Sequence, residues 1–491
     1  TVRARRTALP LRARFLLARA LVQLATLASA AALLLGCEAG GATALSVEIV
    51  DETGGNPVVG IDRGILTLRI AQSGSTDLLE SVAVAGGSFD ASVPIASYGA
   101  ITTIEVTIVD DESPTPLVGA TVPFQPFGYA RVRIVVGAPG TCVPLSNPHL
   151  PVAVDSPALV LHGVNLLLFG GLSTGDTHRS EVHVLSPIEL TLPTRTLVPP
   201  ALATPMGRAH AVSLGAPPNT SVLVVSDTST IVFDAGDVMG ARDTPITTLP
   251  SGADENAVLV ALGDLGAAVV GGDHIAFVGP DGAETHRRML GFHRTRPAAV
   301  RLGDGILVAG GAAAGSMLFE WHPVAFAARM DAPELFGDAF APRVGASLAV
   351  SPTSEAAVLV FGRSPVDDAL VPGSVVVTGC PTRCVAIAGP DVPELASGAI
   401  AVPRASLAAG TFRRPATTLI VGGDTDEGGL VIPSGVALSV RWEGATPVFE
   451  LEDGLVTPRS GHAALALGAS IVLVAGGTGP TRVLDDLELC F

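Results

Sequence analysis

At 491 residues the chain is too long for one ordinary hydrophobic core and is expected to divide into two or three domains. It is 48% hydrophobic but only 15% charged and 4% aromatic, and 56 glycines and 38 prolines cut the apolar residues into short runs, the pattern of an all-β protein. All 29 basic residues are arginines, which excludes lysine chemistry such as P-loop phosphate binding, Schiff bases and Ser-x-x-Lys acylation; six of them fall in residues 1–36, leaving 23 against 46 acidic residues, so no nucleic acid is expected as a partner.

The chain opens with Arg3, Arg5, Arg6, Arg12, Arg14 and Arg19, followed by an apolar stretch from Ala20 to Leu35. Positive charge before a short apolar run reads as a secretory signal. Its close, Leu34-Leu35-Gly36-Cys37, resembles the lipobox of bacterial lipoproteins. That resemblance implies removal of residues 1–36 as a lipoprotein signal peptide, lipidation of Cys37, and a short tether over 37–44. Acyl chains buried at about 0.8 kcal/mol per methylene would then hold the protein on a membrane. A plain signal peptide with an unrelated cysteine, or an uncleaved spanning helix, are the alternatives.

Residues 45–137 contain alternating runs, Leu45 to Val50, Gly64 to Ala71, Ser81 to Ala85, Ile101 to Val109 and Tyr129 to Val136, separated by turn residues. Within Ile101 to Val109 the alternation predicts one buried and one wet face. An Ig-like β-sandwich of about seven strands suits this length, with the role of a spacer or adhesion module. Asp110-Asp111-Glu112 reads as a solvated acidic turn, with a calcium loop as the alternative.

From residue 138 to 491 the chain repeats. The phrase is an apolar strand, a turn, and a second apolar strand ending in two glycines, as in Leu166 to Gly171, Ala267 to Gly272, Ile306 to Gly311, Thr418 to Gly423 and Val472 to Gly477. Degenerate copies run from Val222 to Asp227 and Val358 to Gly362. Arg208, Arg296, Arg343, Arg404 and Arg459 each precede a first strand. A glycine pair at the narrow middle of such a unit supplies positive φ and close backbone approach, so it is read as scaffold rather than phosphate binding.

Pro458-Arg459-Ser460-Gly461-His462-Ala463-Ala464, followed by Ile471 to Gly477, resembles a kelch repeat, and Gly207-Arg208-Ala209-His210 resembles it in part. The resemblance implies a kelch-like β-propeller of six or seven blades, each a four-stranded sheet. The usual Tyr and Trp after the glycine pair are absent: Trp321 and Trp442 are the only tryptophans, and no tyrosine lies beyond Tyr129. The last repeat stops one strand short, while Thr141 to Leu145 stands alone at the start, so the first strand is expected to pair with the last and close the ring. Beyond Cys37 four cysteines remain. Cys380 and Cys384, in a turn-rich stretch, are expected to form a local disulfide, with a metal pair as the alternative, and Cys142 is left for Cys490.

Chemistry on this scaffold is sparse. Copper radical oxidases of the kelch class and sialidase-like propellers need tyrosines that this region lacks. The ten histidines show no His-x-x-x-His spacing. Gly171-Leu172-Ser173-Thr174-Gly175 matches a nucleophile elbow in letters, but a polar turn follows where a helix is required. Asp424, Asp426 and Glu427 are read as loop carboxylates, with a loose Ca2+ site as the alternative; no other cofactor or metal is expected. The five arginines are a recurrent polar feature that either binds carboxylates or acidic sugars, or hydrogen-bonds between blades. The alternating end Leu487-x-Leu489-x-Phe491 resembles that of outer-membrane barrels, but sparse aromatics argue against one. The resulting expectation is an exported, lipid-anchored, non-enzymatic binding or scaffolding protein of the bacterial cell envelope, facing the periplasm or cell surface, with a protein or glycan partner. The alternative is an extracytoplasmic sugar epimerase or lyase.

Overall fold

The computed structural model describes residues 44–491 apart from 52–54, 73–76, 87–91, 95–99, 114, 122, 127–130, 146–148, 164, 186–194, 197–201, 216–220, 236–242, 246–256, 312–317, 325–332, 370, 372, 394–404, 410–416, 428–429 and 468–470. The signal segment, Cys37, the tether up to residue 43, Tyr129 and Arg404 lie outside the described residues. Apart from one 3-10 turn at Gly263–Leu265, the regular elements are strands.

The N-terminal unit is a single seven-stranded sheet. In spatial order its strands are Leu78–Ala85, Arg63–Gln72, Thr102–Asp110, Leu117–Ala120, Arg131–Gly137, Ala44–Val50 and Ser92–Pro94. The expected sandwich thus takes the form of one sheet curled upon itself. Arg131–Gly137 is the hinge: its last residues pair antiparallel with Val118 and Gly119, and residues 131–135 pair parallel with residues 46–50. Period-two alternation places Leu66, Leu68 and Ile70 inside, where they meet Ile104, Val106, Ile108, Val132 and Ile134 in one core. The acidic stretch after Val109 is a turn in which Asp110 Oδ1 accepts the Glu112 N–H at 3.0 Å.

Two small two-stranded hairpins aside, seven sheets of three or four strands follow among the described residues. Their innermost strands are Ala158–His162, Ala209–Ser213, Val258–Ala261, Ala298–Leu302, Ser347–Val350, Ala405–Ala409 and Ala463–Leu467. Each packs against the next and the last packs against the first, so the sheets stand as blades of a closed propeller, numbered here in that order. Apolar faces of neighbouring blades fill the gaps; Phe169 of the first and Phe233 of the second meet edge to face at 5.0 Å. The third sheet has three strands, because Ala267–Val278 runs on through its glycine pair, bonding Val258–Ala261 with its first half and Glu284–Arg294 with its second.

The seventh blade joins both ends of the repeat region. Ala463–Leu467, Ile471–Ala475 and Leu487–Cys490 accept Cys142–Pro144 as their fourth strand, and Cys490 lies directly opposite Cys142 in the ladder. A disulfide joins the two across a sequence separation of 348. A second links Cys380 to Cys384, in the turn between Ser374–Thr378 and Val385–Ala388 of the fifth blade.

Candidate functional site

The innermost strands surround a central cavity of about 550 Å³. Its lining is mostly small: alanines such as Ala158, Ala209, Ala298, Ala346 and Ala463 leave the room that larger side chains would fill. The polar groups gather at one end, where the inner strands begin and the second strands finish. Arg208, Arg296, His210 and His462 come from the starts of inner strands, and Arg363, Asp368 and Asp424 from the segments after the second strands. Arg363 Nη1 donates to the Asp368 carbonyl at 2.9 Å and lies 3.5 Å from its carboxylate.

Register separates the four described of the five predicted arginines into different environments. Ala298 pairs with Ala309 and Ala463 with Ala475, each second-strand residue immediately preceding a glycine pair. Counting back from these pairs, the counterpart of Arg459 in the fourth blade is Arg294, two residues before the expected Arg296. Both Arg294 and Arg459 are fully buried. Arg459 donates to Glu488, to the Gly476 carbonyl at 3.0 Å and to the Asp486 carbonyl at 3.3 Å. Arg294 Nη2 lies 2.7 Å from Glu320 Oε1, and Nη1 donates to the Gly310 carbonyl. Arg459 makes these bonds within the seventh blade, whereas Arg294, the last residue of the third sheet's strand Glu284–Arg294, makes them across to the fourth blade; in both cases they tie the turn after a second strand to the third strand. The arginines and glutamates satisfy one another where no water reaches.

Arg343 takes the same position in the fifth blade and donates to the Phe361 and Gly373 carbonyls at 3.2 and 3.3 Å. Opposite it the third strand carries Val375, where the fourth and seventh blades carry Glu320 and Glu488. With no carboxylate to offset burial, the Arg343 guanidinium is pushed down to about 10. For Glu320, burial pushes the carboxyl up, but hydrogen bonds from His322, Arg294 and the Gly291 N–H outweigh it and hold it below the usual glutamate range. A signal for these pins was visible: Leu318-Phe319-Glu320-Trp321 and Leu487-Glu488-Leu489 each set a lone carboxylate in an apolar strand.

Arg296 sits where the seventh blade has Gly461 and the fifth Gly345. Those glycines have φ of +61° and +67°, and Arg296 has +48°. The left-handed turn directs the residue's carbonyl to the next blade: Gly345 N–H donates to Arg296 O at 3.2 Å, and Ser156 N–H to Gly461 O. A side chain in that conformation costs on the order of 1–3 kcal/mol. The Arg296 side chain is exposed at the cavity mouth, and no carboxylate among the described residues pairs with it. Arg208 is half-buried on the same lining.

The mouth and the N-terminal sheet lie at opposite ends of the seventh blade. Val472 pairs with Cys490, so Phe491 falls at the Ile471 end, whereas Gly461 and the Gly476-Gly477 pair mark the other. Five strand residues separate the ends, about 16 Å. At the Phe491 end the Gly140 N–H donates to Phe491 O at 2.7 Å, and the Phe491 ring packs against Gly137. Val50, Ala120 and Val135 of the sheet share an apolar cluster with Leu145 and Leu489 of the blade.

The remaining expectations place as follows. Leu172–Ser173 and Thr177–His178 form a small hairpin, so no helix follows Ser173; His178 Nε2 lies 2.9 Å from Asp227 of the second blade. Asp424–Glu427, read as a loop, is a strand paired with Leu430–Pro433. Among the described residues no group of three or more His, Cys, Asp or Glu side chains is placed to hold a metal ion.

No protein-family model matches the sequence, and no curated protein matches it. Among solved structures, the structure of YjhT matches with 11% identity and a TM-score of 0.41, over 70% of this chain and 97% of that one.

Proposed function

We propose that the protein is an exported, lipid-anchored binding or scaffolding protein of the bacterial cell envelope, with a kelch-like propeller as its interaction platform. The observation that carries this reading is a charged cavity mouth on the propeller face opposite the attachment of the N-terminal sheet. An anchor at Cys37 would hold the sheet towards the membrane and turn the mouth to a protein or glycan partner. Two disulfides suit an oxidising compartment.

A second reading, a carbohydrate-active enzyme of sugar epimerase or lyase type, is favoured by the meeting of Arg208, Arg296, His210, His462 and Asp424 at one mouth. A thermal-shift screen of the full chain against sugars, peptidoglycan fragments, envelope proteins and divalent metals tests the platform, since a ligand at 100 times its Kd adds about 2.7 kcal/mol. Reproducible shifts are expected for a protein or glycan. No shift with any of them contradicts the platform, and turnover of a sugar that shifts the melt selects the enzyme. Fractionation of Cys37→Ser cells tests the anchor: the variant is expected in the soluble fraction, and unchanged membrane retention contradicts lipidation.

A further inference from the structure

We infer that the outer groove between the fifth and sixth blades binds an uncharged, aliphatic peptide segment of a partner protein, held in extended form. This groove lies on the rim of the propeller, apart from the mouth.

Strand register builds it. In the fifth blade Val376 stands opposite Ile387 of the outer strand Val385–Ala388. In the sixth, Leu438 and Val440 stand opposite Leu451 and Phe449 of the outer strand Thr446–Glu452. Residues directly opposite in a ladder share a face. Val376, Leu438, Val440 and Trp442 belong to one apolar cluster between the two blades, with Phe449 packed against it, so Ile387 and Leu451 turn towards that same interface. The interface closes near the axis and opens at the rim, where radiating sheets diverge: Val385 is 42%, Ile387 51% and Leu451 41% exposed. Aliphatic side chains left exposed on two facing elements mark an interaction site rather than scattered surface apolarity.

The chemistry of the groove selects its occupant. Alternation sends Arg441, Glu443, Glu450 and Glu452 to the other face of the sixth sheet, so the outer strands turn only Val385, Ile387, Pro447, Phe449 and Leu451 inward. In a chain with 46 acidic residues, an uncharged lining suits a neutral, apolar ligand. Trp442 adds one polar handle. It is 8% exposed, and its Nε1–H is buried with no acceptor among the described residues, whereas the Trp321 Nε1–H donates to the Leu302 carbonyl at 3.4 Å. A buried donor left unbonded is costly, and a carbonyl carried into the groove removes that cost. Peptides carry such carbonyls, and the sheet edge favours them further. Val385–Ala388 ends its sheet, so every second residue turns N–H and C=O away from the ladder. A strand added there would lay alternate side chains over Ile387, Phe449 and Leu451.

The test is titration of the full chain with acetyl-Val-Thr-Val-Thr-Val-amide, read on the indole N–H resonances of Trp321 and Trp442, with acetyl-Ser-Thr-Ser-Thr-Ser-amide as the polar control. The valine peptide is expected to bind saturably, to move the Trp442 resonance and to leave that of Trp321 in place. It should bind about tenfold more tightly than the serine peptide. Ile387→Asp and Leu451→Asp, both at exposed positions, should each weaken it about tenfold while keeping the wild-type melt. Trp442→Phe should weaken it about threefold by removing the donor. Arg441→Gln, on the other face of the same sheet, should leave binding unchanged. A stationary Trp442 resonance, undiminished binding by both Asp variants, or a serine peptide that binds as tightly overturns the proposal. So does equal binding of the valine peptide after N-methylation of its backbone, which would make it an apolar filler and not an added strand. A wild-type dimer in sedimentation that Ile387→Asp dissociates makes a second copy the occupant, and likewise overturns it.

Discussion

The buried arginines divide by whether a carboxylate meets them. Removing one partner of a buried ion pair strands the other's charge, at about 3–5 kcal/mol. Arg459→Met and Arg294→Met are therefore expected to destabilise by that amount, leaving Glu488 or Glu320 alone. Arg343→Met strands only two carbonyls and relieves an unpaired burial, so it should cost less than half as much. Denaturant midpoints of the three variants check this ordering, and equal losses would assign the stability to the carbonyl bonds instead. Glu320 also sets a pH dependence. Its folded pKa lies below the unfolded value, so its contribution is present above about pH 4.3 and is lost as pH falls through the depressed range. The Tm of Glu320→Gln should fall less steeply than that of the wild type between pH 5 and pH 3. Which arginine fills the buried position was not legible, since Arg294 and Arg296 are two residues apart and only the strand register separates them.

At the scale of elements, ring closure was readable because the sequence leaves Thr141 to Leu145 without a partner and ends its last repeat a strand early. The disulfide converts that pairing into a covalent clasp. On the chain-entropy account a loop this long contributes about 6 kcal/mol. Cys142→Ser is expected to lower Tm by several degrees without changing the fold seen by circular dichroism, and an unchanged melt would show that the ladder alone closes the ring. The apolar strands and glycine pairs were legible because close approach excludes a Cβ: one on Gly476 would lie 2.6 Å from the Val154 carbonyl. The hairpin of Asp424–Glu427 with Leu430–Pro433 was hidden, because carboxylates and glycines carry no strand alternation.

At the scale of the molecule, pairing and docking were the least legible features. One curled sheet differs from a two-sheet sandwich only in that Arg131–Gly137 bonds to neighbours on both sides, and no local pattern records the partner. Docking did leave a trace: Ile134-Val135-Val136 breaks the alternation, and Val135 faces the propeller cluster while its neighbours face the sheet core. Phe491→Ala should open this contact. Calorimetry is expected to show one cooperative melt for the wild type and two separated transitions for the variant; a single shifted transition would mean that the interface holds without the ring.

On the proposed reading, the mouth is the working face of the molecule. Arginine labelling with phenylglyoxal, read by mass spectrometry on the purified chain and on the same chain in native envelopes, tests it most directly. Arg208 and Arg296 should be labelled in the purified protein and protected in envelopes, while exposed Arg441 reacts equally in both. Equal labelling of Arg208 and Arg296 in the two settings would contradict a role for the mouth in binding.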